Sequence, residues 1–219
     1  MRRWLLLHSP LLGPTSWGAV GRILAREGPV VIPTLRATAP PWAASQAAAA
    51  TAGVRGEWTV VAHSGAGALV PSVGALLDHV EGCVFVDAVL PHPGLTRLDT
   101  LPAPVVEHLR TLESEGMLPP WPDWWPPSVF EALLPDRVIR DAVVADCRSL
   151  PMAMFTEVMP AAEDWPDAPC AYLRLSAAYD AELAHAEERG WATASLDLDH
   201  LALVTRPREV AAALRSIVP

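Results

Sequence analysis

Residues 58–67 read WTVVAHSGAG. The apolar run 58–62 leads into Ser64, which sits among the small residues Ala62, Gly65, Ala66 and Gly67. A buried strand that turns sharply into a helix needs this composition, because the backbone at the turn is strained and neighbouring segments crowd it. Only small side chains fit two residues before and two after. Such a turn lifts the hydroxyl clear of the sheet and aims the following backbone N–H at the same space. Ala62-His63-Ser64-Gly65-Ala66 is a relaxed form of G-x-S-x-G, with alanine for both outer glycines. The plainer reading is a serine that caps the helix of an ordinary strand–helix loop. The rest of the chain has to decide between them.

The chain has 219 residues, 51% of them hydrophobic and 19% charged, with 23 prolines. That suits one sizeable domain with a full core, and it is too apolar for disorder. Lysine is absent and all 16 basic residues are arginine. With alanine and proline also abundant, this reads as compositional bias. A net charge of −9 argues against a nucleic-acid surface. No apolar run approaches the ~18 residues that span a bilayer. Residues 4–8 are too short and too soon interrupted for a signal-peptide core, and read as a first strand. Cys83, Cys147 and Cys170 have no metal-like spacing and read as free thiols. The expected setting is cytoplasmic.

In chain order, apolar runs at 4–8, 30–33, 58–62, 84–87, 171–175 and 194–198 read as strands. Helices are expected over 17–26, 42–52, 64–79, 180–189 and 208–217. Apolar strands without inside–outside alternation, each followed by a helix, predict a parallel sheet covered on both faces. The fold class is therefore α/β, a three-layer sandwich with about six strands. Between residues 88 and 169 the alternation breaks into a proline- and tryptophan-rich stretch with helix-like runs. This reads as a lid inserted after the fourth strand, within a single domain over 1–219.

A serine hydroxyl needs a base within hydrogen-bond reach and a group that fixes the base's tautomer. Among seven histidines, His200 has the best setting. It follows the last strand in LDLDHLALVTRP, which places it at the carboxyl edge of the sheet with Ser64. Ligands bind along that edge in open α/β sheets. His63 should point elsewhere. For the acid, Asp87 closes the apolar run VFVD, where a buried carboxylate is costly unless paired. Asp180, in SAAYDAEL, is the alternative and could equally cap a helix.

Three stretches carry a wider resemblance: WLLLHSPLLGPTSW at 4–17, AHSGAG at 62–67, and DHLALVTRP at 199–207. They resemble the H-G loop, the nucleophile elbow and the histidine-containing ending of the α/β-hydrolase fold family. The similarity is to its small esterase and lactonase-like members, including the plant methylesterase type, in a form without the first two strands. The resemblance implies Ser64 as nucleophile and His200 as general base. The family usually carries its acid near 177–178, two residues before Asp180, while some members place it at the position of Asp87. One oxyanion donor is the N–H of Gly65. The other lies in the loop after the first strand, where the family's H-G-x becomes His8-Ser9-Pro10. Proline has no N–H, so Leu11 is the expected donor.

His8 and Pro10, with Trp121, Trp124, Trp125 and Met154 of the lid, are the expected substrate contacts. Together they suit an apolar or aromatic small molecule. No cofactor, metal, nucleic-acid or membrane partner is expected, and the chain reads as a monomer or homodimer. The expected activity is cleavage of an ester, lactone or thioester through an acyl-enzyme. The alternatives are a lyase, cyclisation or rearrangement step on the same fold, and a ligand-binding protein with a vestigial triad.

Overall fold

The computed structural model describes residues 1–161, 165–166 and 168–218. Its strands are β1 (Trp4–Leu7), β2 (Val30–Val31), β3 (Glu57–His63), β4 (His79–Val86), β5 (Met117–Leu118), β6 (Leu150–Pro151), β7 (Cys170–Arg174) and β8 (Ala192–Ser195). The α-helices are α1 (Gly18–Leu24), α2 (Trp42–Thr51), α3 (Val70–Gly74), α4 (Ala103–Leu112), α5 (Pro127–Leu133), α6 (Arg137–Asp146), α7 (Ala153–Thr156), α8 (Asp180–Glu188), α9 (Ala202–Thr205) and α10 (Pro207–Ile217). Six strands form one sheet in the order β2-β1-β3-β4-β7-β8, every pair parallel.

Both faces of this sheet are buried, which is why its strands read as continuous apolar runs. Along β1, Trp4 and Leu6 join the core beneath α1, α9 and α10, while Leu5 and Leu7 join the core beneath α2, α3 and α8. The helices answer in kind. Val210, Ala211, Leu214 and Ile217 form the buried stripe of α10, and Ala43, Ala47 and Ala50 let α2 lie close to the sheet.

The chain goes from β1 outward to β2, then back across β1 to β3. The order reverses between β1 and β3, and a crevice opens at the carboxyl ends of strands at such a point. The loop after β1, residues 8–13, and the turn after β3, at Ser64, meet there.

Three boundaries differ from expectation. The expected helix 64–79 is a 3₁₀ turn (Ser64–Leu69) followed by the five-residue α3, which holds Pro71 in its first turn. The fourth strand starts at His79 because 79–82 alternate exposed and buried, a half-buried strand pattern that an all-apolar criterion misses. The last strand lies at 192–195 instead of 194–198. Beyond it, Leu196 and Leu198 still donate backbone N–H groups to the carbonyls of Arg174 and Leu175.

Between β4 and β7 lies a helical insertion, α4 to α7 with the antiparallel pair β5–β6. Positions 162–164 and 167 of the expected 88–169 segment lie outside the described residues. The insertion has its own small core of Leu109, Leu118, Trp124, Met152 and Phe155. Two carboxylates tie it to the body. Glu157 accepts the N–H groups of Trp42 and Ala43 at the start of α2, and Asp146 accepts that of Thr15 at 3.0 Å.

Candidate active site

Ser64 directly follows β3 with φ of +57°, a left-handed conformation that costs a non-glycine residue energy and persists only where the surroundings impose it. The neighbours show what imposes it. Ala62 and Ala66 are fully buried. A Cβ on Gly67 would stand 1.9 Å from the carbonyl oxygen of Val89, so the loop after β4 crosses where only glycine fits. The N–H of Val89 donates to the Ser64 carbonyl at 3.2 Å and locks that crossing.

Asp87, just past the end of β4, is fully buried and also has positive φ, +43°. Its backbone N–H donates to the Leu173 carbonyl. The Tyr172 hydroxyl braces the next residue, donating to the Ala88 carbonyl at 2.8 Å and accepting its N–H at 3.1 Å. Four donors converge on the Asp87 carboxylate. Oδ1 accepts the N–H groups of Leu175 (2.7 Å) and Ser176 (2.9 Å); Oδ2 accepts the Ser176 hydroxyl (2.6 Å) and Nδ1 of His200 (2.8 Å). Burial pushes this carboxyl up, but the bonds from His200 and Ser176 outweigh it and hold the group below its ordinary value. A carboxylate only accepts, so Nδ1 of His200 carries a proton. In the neutral ring the lone pair then sits on Nε2.

His200 is fixed from other directions too. The Tyr179 ring stacks on its imidazole at 5.1 Å and 9°, and the His63 ring lies 4.5 Å away at 30°. Nε2 of His63 donates to the His200 carbonyl at 3.0 Å, while its Nδ1 is buried without a partner. Burial, with the neighbouring His200, lowers His63 to about 3, so it is a neutral donor that holds the backbone of the loop. Ser64 Oγ lies 3.4 Å from the Tyr179 hydroxyl. Among the described residues no hydrogen bond joins Ser64 to His200. Burial raises the Tyr179 phenol to about 12, so it stays protonated and able to donate.

A serine at a strained strand–helix turn and a histidine held by a buried carboxylate share the edge where strand order reverses. A strained serine turn and a carboxylate-held histidine at one sheet edge are the parts a nucleophilic site requires. The alpha/beta hydrolase family pattern matches residues 4–213. The chain belongs to that family. No curated protein matches it in sequence. Among solved structures, it is similar over its whole length to an extracellular α/β-hydrolase from a Paenibacillus species, described as sharing structural and functional homology with tobacco salicylic acid binding protein 2. The identity is 15%, the TM-score 0.80, and 99% of that chain is covered. A pyrethroid hydrolase from Sphingobium faniae matches with 18% identity, 98% of this chain, 96% of the other and a TM-score of 0.72. Tomato methylketone synthase I, in complex with 2-tridecanone, matches with 13% identity, 99% and 98% coverage and a TM-score of 0.68. Likeness at these identities establishes the fold.

Within this α/β-hydrolase fold the cavity-side expectations divide into two groups. Ser64, Gly65, Pro10 and Leu11 line one cavity of about 130 Å³, roofed by the insertion through Trp124 and Met154. The Pro10 ring packs against Gly65, 3.4 Å from where a Cβ would stand. The N–H of Leu11 is turned onto the Ser9 hydroxyl at 3.3 Å, so the expected oxyanion donor already has a weak acceptor. A second group lies elsewhere. His8 is not in the cavity lining: its Nδ1 donates to the Ser9 carbonyl and its Nε2 accepts the N–H of Leu35. Both nitrogens are used in bracing the loop, which leaves none for a substrate. Trp125 is at the surface, stacked on His108 at 4.7 Å. Trp121 packs edge-on to Phe130 at 5.3 Å and approaches the His200 ring at 6.4 Å, outside the cavity lining. The alternative acid, Asp180, bonds Arg174 at 2.6 Å instead of His200.

Four further residues belong to the site although the sequence pattern does not assign them to it. Tyr179, in the stretch SAAYDAEL, touches both Ser64 and His200. His63, expected from the sequence to point away from Ser64, holds the His200 backbone. Arg97 and His92 reach the cavity from the insertion. Nothing in their sequence context marks them, because each acts across more than 20 residues of chain.

Proposed function

We propose that the protein is a serine hydrolase that cleaves a carboxylic ester, lactone or thioester of a small to mid-sized, largely apolar substrate. The observation that carries this is the hydrogen bond from His200 Nδ1 to the buried Asp87 carboxylate at 2.8 Å, since it fixes Nε2 as the basic nitrogen. Ser64 turns from Tyr179 toward His200 as substrate enters; catalytic hydrogen bonds commonly tighten only in the complex. Its Oγ bonds to the carbonyl carbon while Nε2 takes the proton. The N–H of Gly65 and, released from its long bond to Ser9, the N–H of Leu11 hold the oxyanion. Collapse expels the alcohol or thiol with the proton returned from Nε2, and water repeats the cycle to free the acid.

The cavity's apolar roof supports a hydrophobic substrate, and the names of the Paenibacillus and Sphingobium relatives support hydrolysis. A panel of short- and medium-chain p-nitrophenyl esters, thioesters and lactones tests the reading. Turnover by the wild type that disappears in Ser64→Ala is the expected result. Turnover retained by Ser64→Ala would remove the acyl-enzyme from the account.

One observation favours a second reading. Pro10 lacks an N–H and that of Leu11 is engaged, so the oxyanion hole is short of free donors. A synthase stands among the structural neighbours. On this reading His200 alone moves a proton, Ser64 only donates a hydrogen bond, and the chemistry is a lyase, cyclisation or rearrangement step. A protein that binds such a molecule without turning it over is the limiting case.

A further inference from the structure

Arg97, in the loop before α4, lines the same cavity as Ser64. Among the described residues its guanidinium makes one hydrogen bond, from Nη1 to the Thr100 hydroxyl at 2.9 Å, and that hydroxyl gives its own proton to the Arg97 carbonyl. None of the ion pairs among the described residues includes it. Asp99, two residues on, is exposed and accepts the N–H and hydroxyl of Thr96. Glu182 and Tyr179 act on Arg97 electrostatically, without an ion pair, and burial still leaves it below its ordinary value. Burial, and with it the charge of Arg97, lowers His92, whose Nε2 is buried without a partner. Arg97 and His92 share the cavity lining with Ser64.

A guanidinium cannot shed its charge by deprotonation, so enclosing it without an anion costs free energy that the fold must offset elsewhere. The rest of the lining here is mostly apolar, including Leu101, Leu109 and Phe155. The planar fork of arginine matches a carboxylate with two parallel hydrogen bonds. We propose that the substrate carries, besides the carbonyl attacked by Ser64, a carboxylate that Arg97 takes: an apolar chain with an anionic end. The half-ester of a dicarboxylic acid is the simplest such molecule. The inference rests on the hydrolase reading for the position of the carbonyl; the anion site itself does not depend on turnover.

The test has two arms. Wild type, Arg97→Met and Arg97→Lys are assayed on monoethyl esters of C4 to C8 dicarboxylic acids, on neutral diethyl esters of the same acids, and on O-acetyl hydroxy acids, which place the carboxylate on the alcohol side. Separately, binding of the free dicarboxylates and of chain-matched monocarboxylates is measured by calorimetry. The expected result is a wild-type kcat/KM at least tenfold higher for one of the two anionic series. That ratio falls about 10- to 100-fold in Arg97→Met, the loss of a charge-assisted hydrogen bond, and is partly kept in Arg97→Lys. Dicarboxylate should bind one per chain and more tightly than monocarboxylate. Neutral esters preferred by the wild type, with no dicarboxylate binding, would overturn the proposal and leave the hydrolase reading intact. Dicarboxylate binding that needs Arg97, with no ester turned over, would support the anion site and overturn the hydrolase reading. The wild-type measurements decide the matter even if Arg97→Met fails to fold.

Discussion

Replacing Asp87 with asparagine changes one atom and tests the whole arrangement around His200. The carboxylate accepts four hydrogen bonds, and three of them survive the change. An asparagine oxygen can still take the N–H groups of Leu175 and Ser176, and the Ser176 hydroxyl can rotate to accept from the new NH₂. The fourth cannot survive unchanged. The NH₂ facing His200 turns Nδ1 from donor to acceptor. The ring proton then moves to Nε2, where the lone pair is needed. A base held in the wrong tautomer loses about 10⁴ in kcat, with KM little changed. Stability should move far less, because the loss of a charge-assisted bond, about 1.5–3 kcal/mol, is set against no longer burying a charge. The assay is steady-state kinetics on the best ester of the panel, with a urea melt as the control for folding. Asp180→Asn, which alters an exposed pair with Arg174, should stay within about twofold. Asp87→Asn keeping more than a tenth of wild-type kcat would refute the reasoning, most clearly if Asp180→Asn fell instead.

Three further results are expected. Tyr179→Phe removes the hydroxyl beside Ser64 but keeps the ring on His200; kcat should change less than tenfold, whereas Tyr179→Ala, which frees the imidazole, should cost more, as paired kinetics will show. Ser9→Ala removes the acceptor that holds the Leu11 N–H and should raise kcat about 2- to 10-fold, the worth of one neutral hydrogen bond; a fall of tenfold would instead make the Ser9 hydroxyl the donor. Stability should decline in mild acid. His63 titrates near 3 when folded and 6.5 when unfolded, so between those values the unfolded chain binds the extra proton and stability drops about 1.4 kcal/mol per unit as pH falls. The Asp87 carboxyl, depressed in the fold, contributes its loss only below about pH 4, so urea midpoints at pH 7, 6 and 5 isolate the histidines, and His63→Gln should flatten the slope.

How much was visible beforehand follows from the range of the interactions involved. β1, β3 and β7 are buried on both faces, so their apolar runs declare them. The turn at Ser64 declares itself through the small residues that crowding requires. The burial argument at Asp87 leads to a carboxylate that meets His200, and the role of that meeting is what Asp87→Asn measures. The start of β4 was hidden because His79 and Glu81 face solvent. His8 looked like a substrate contact, but its two nitrogens serve the loop, a choice made by the Leu35 N–H 27 residues away. Tyr179 and Arg97 are ordinary residues locally. Only the packing of α8 and of the insertion over the crevice brings them to Ser64, and no local pattern records that packing.

The central claim is that Ser64 is a nucleophile activated by His200. A fluorophosphonate measures this without knowledge of the substrate: Ser64 Oγ bonds to phosphorus, fluoride leaves and His200 accepts the proton. Intact-mass measurement should find one adduct per folded wild-type chain, mapped to Ser64. Ser64→Ala should give none, and Asp87→Asn should label at least a hundredfold more slowly. Folded wild type that stays unlabelled, or Ser64→Ala that labels as fast, would contradict the account.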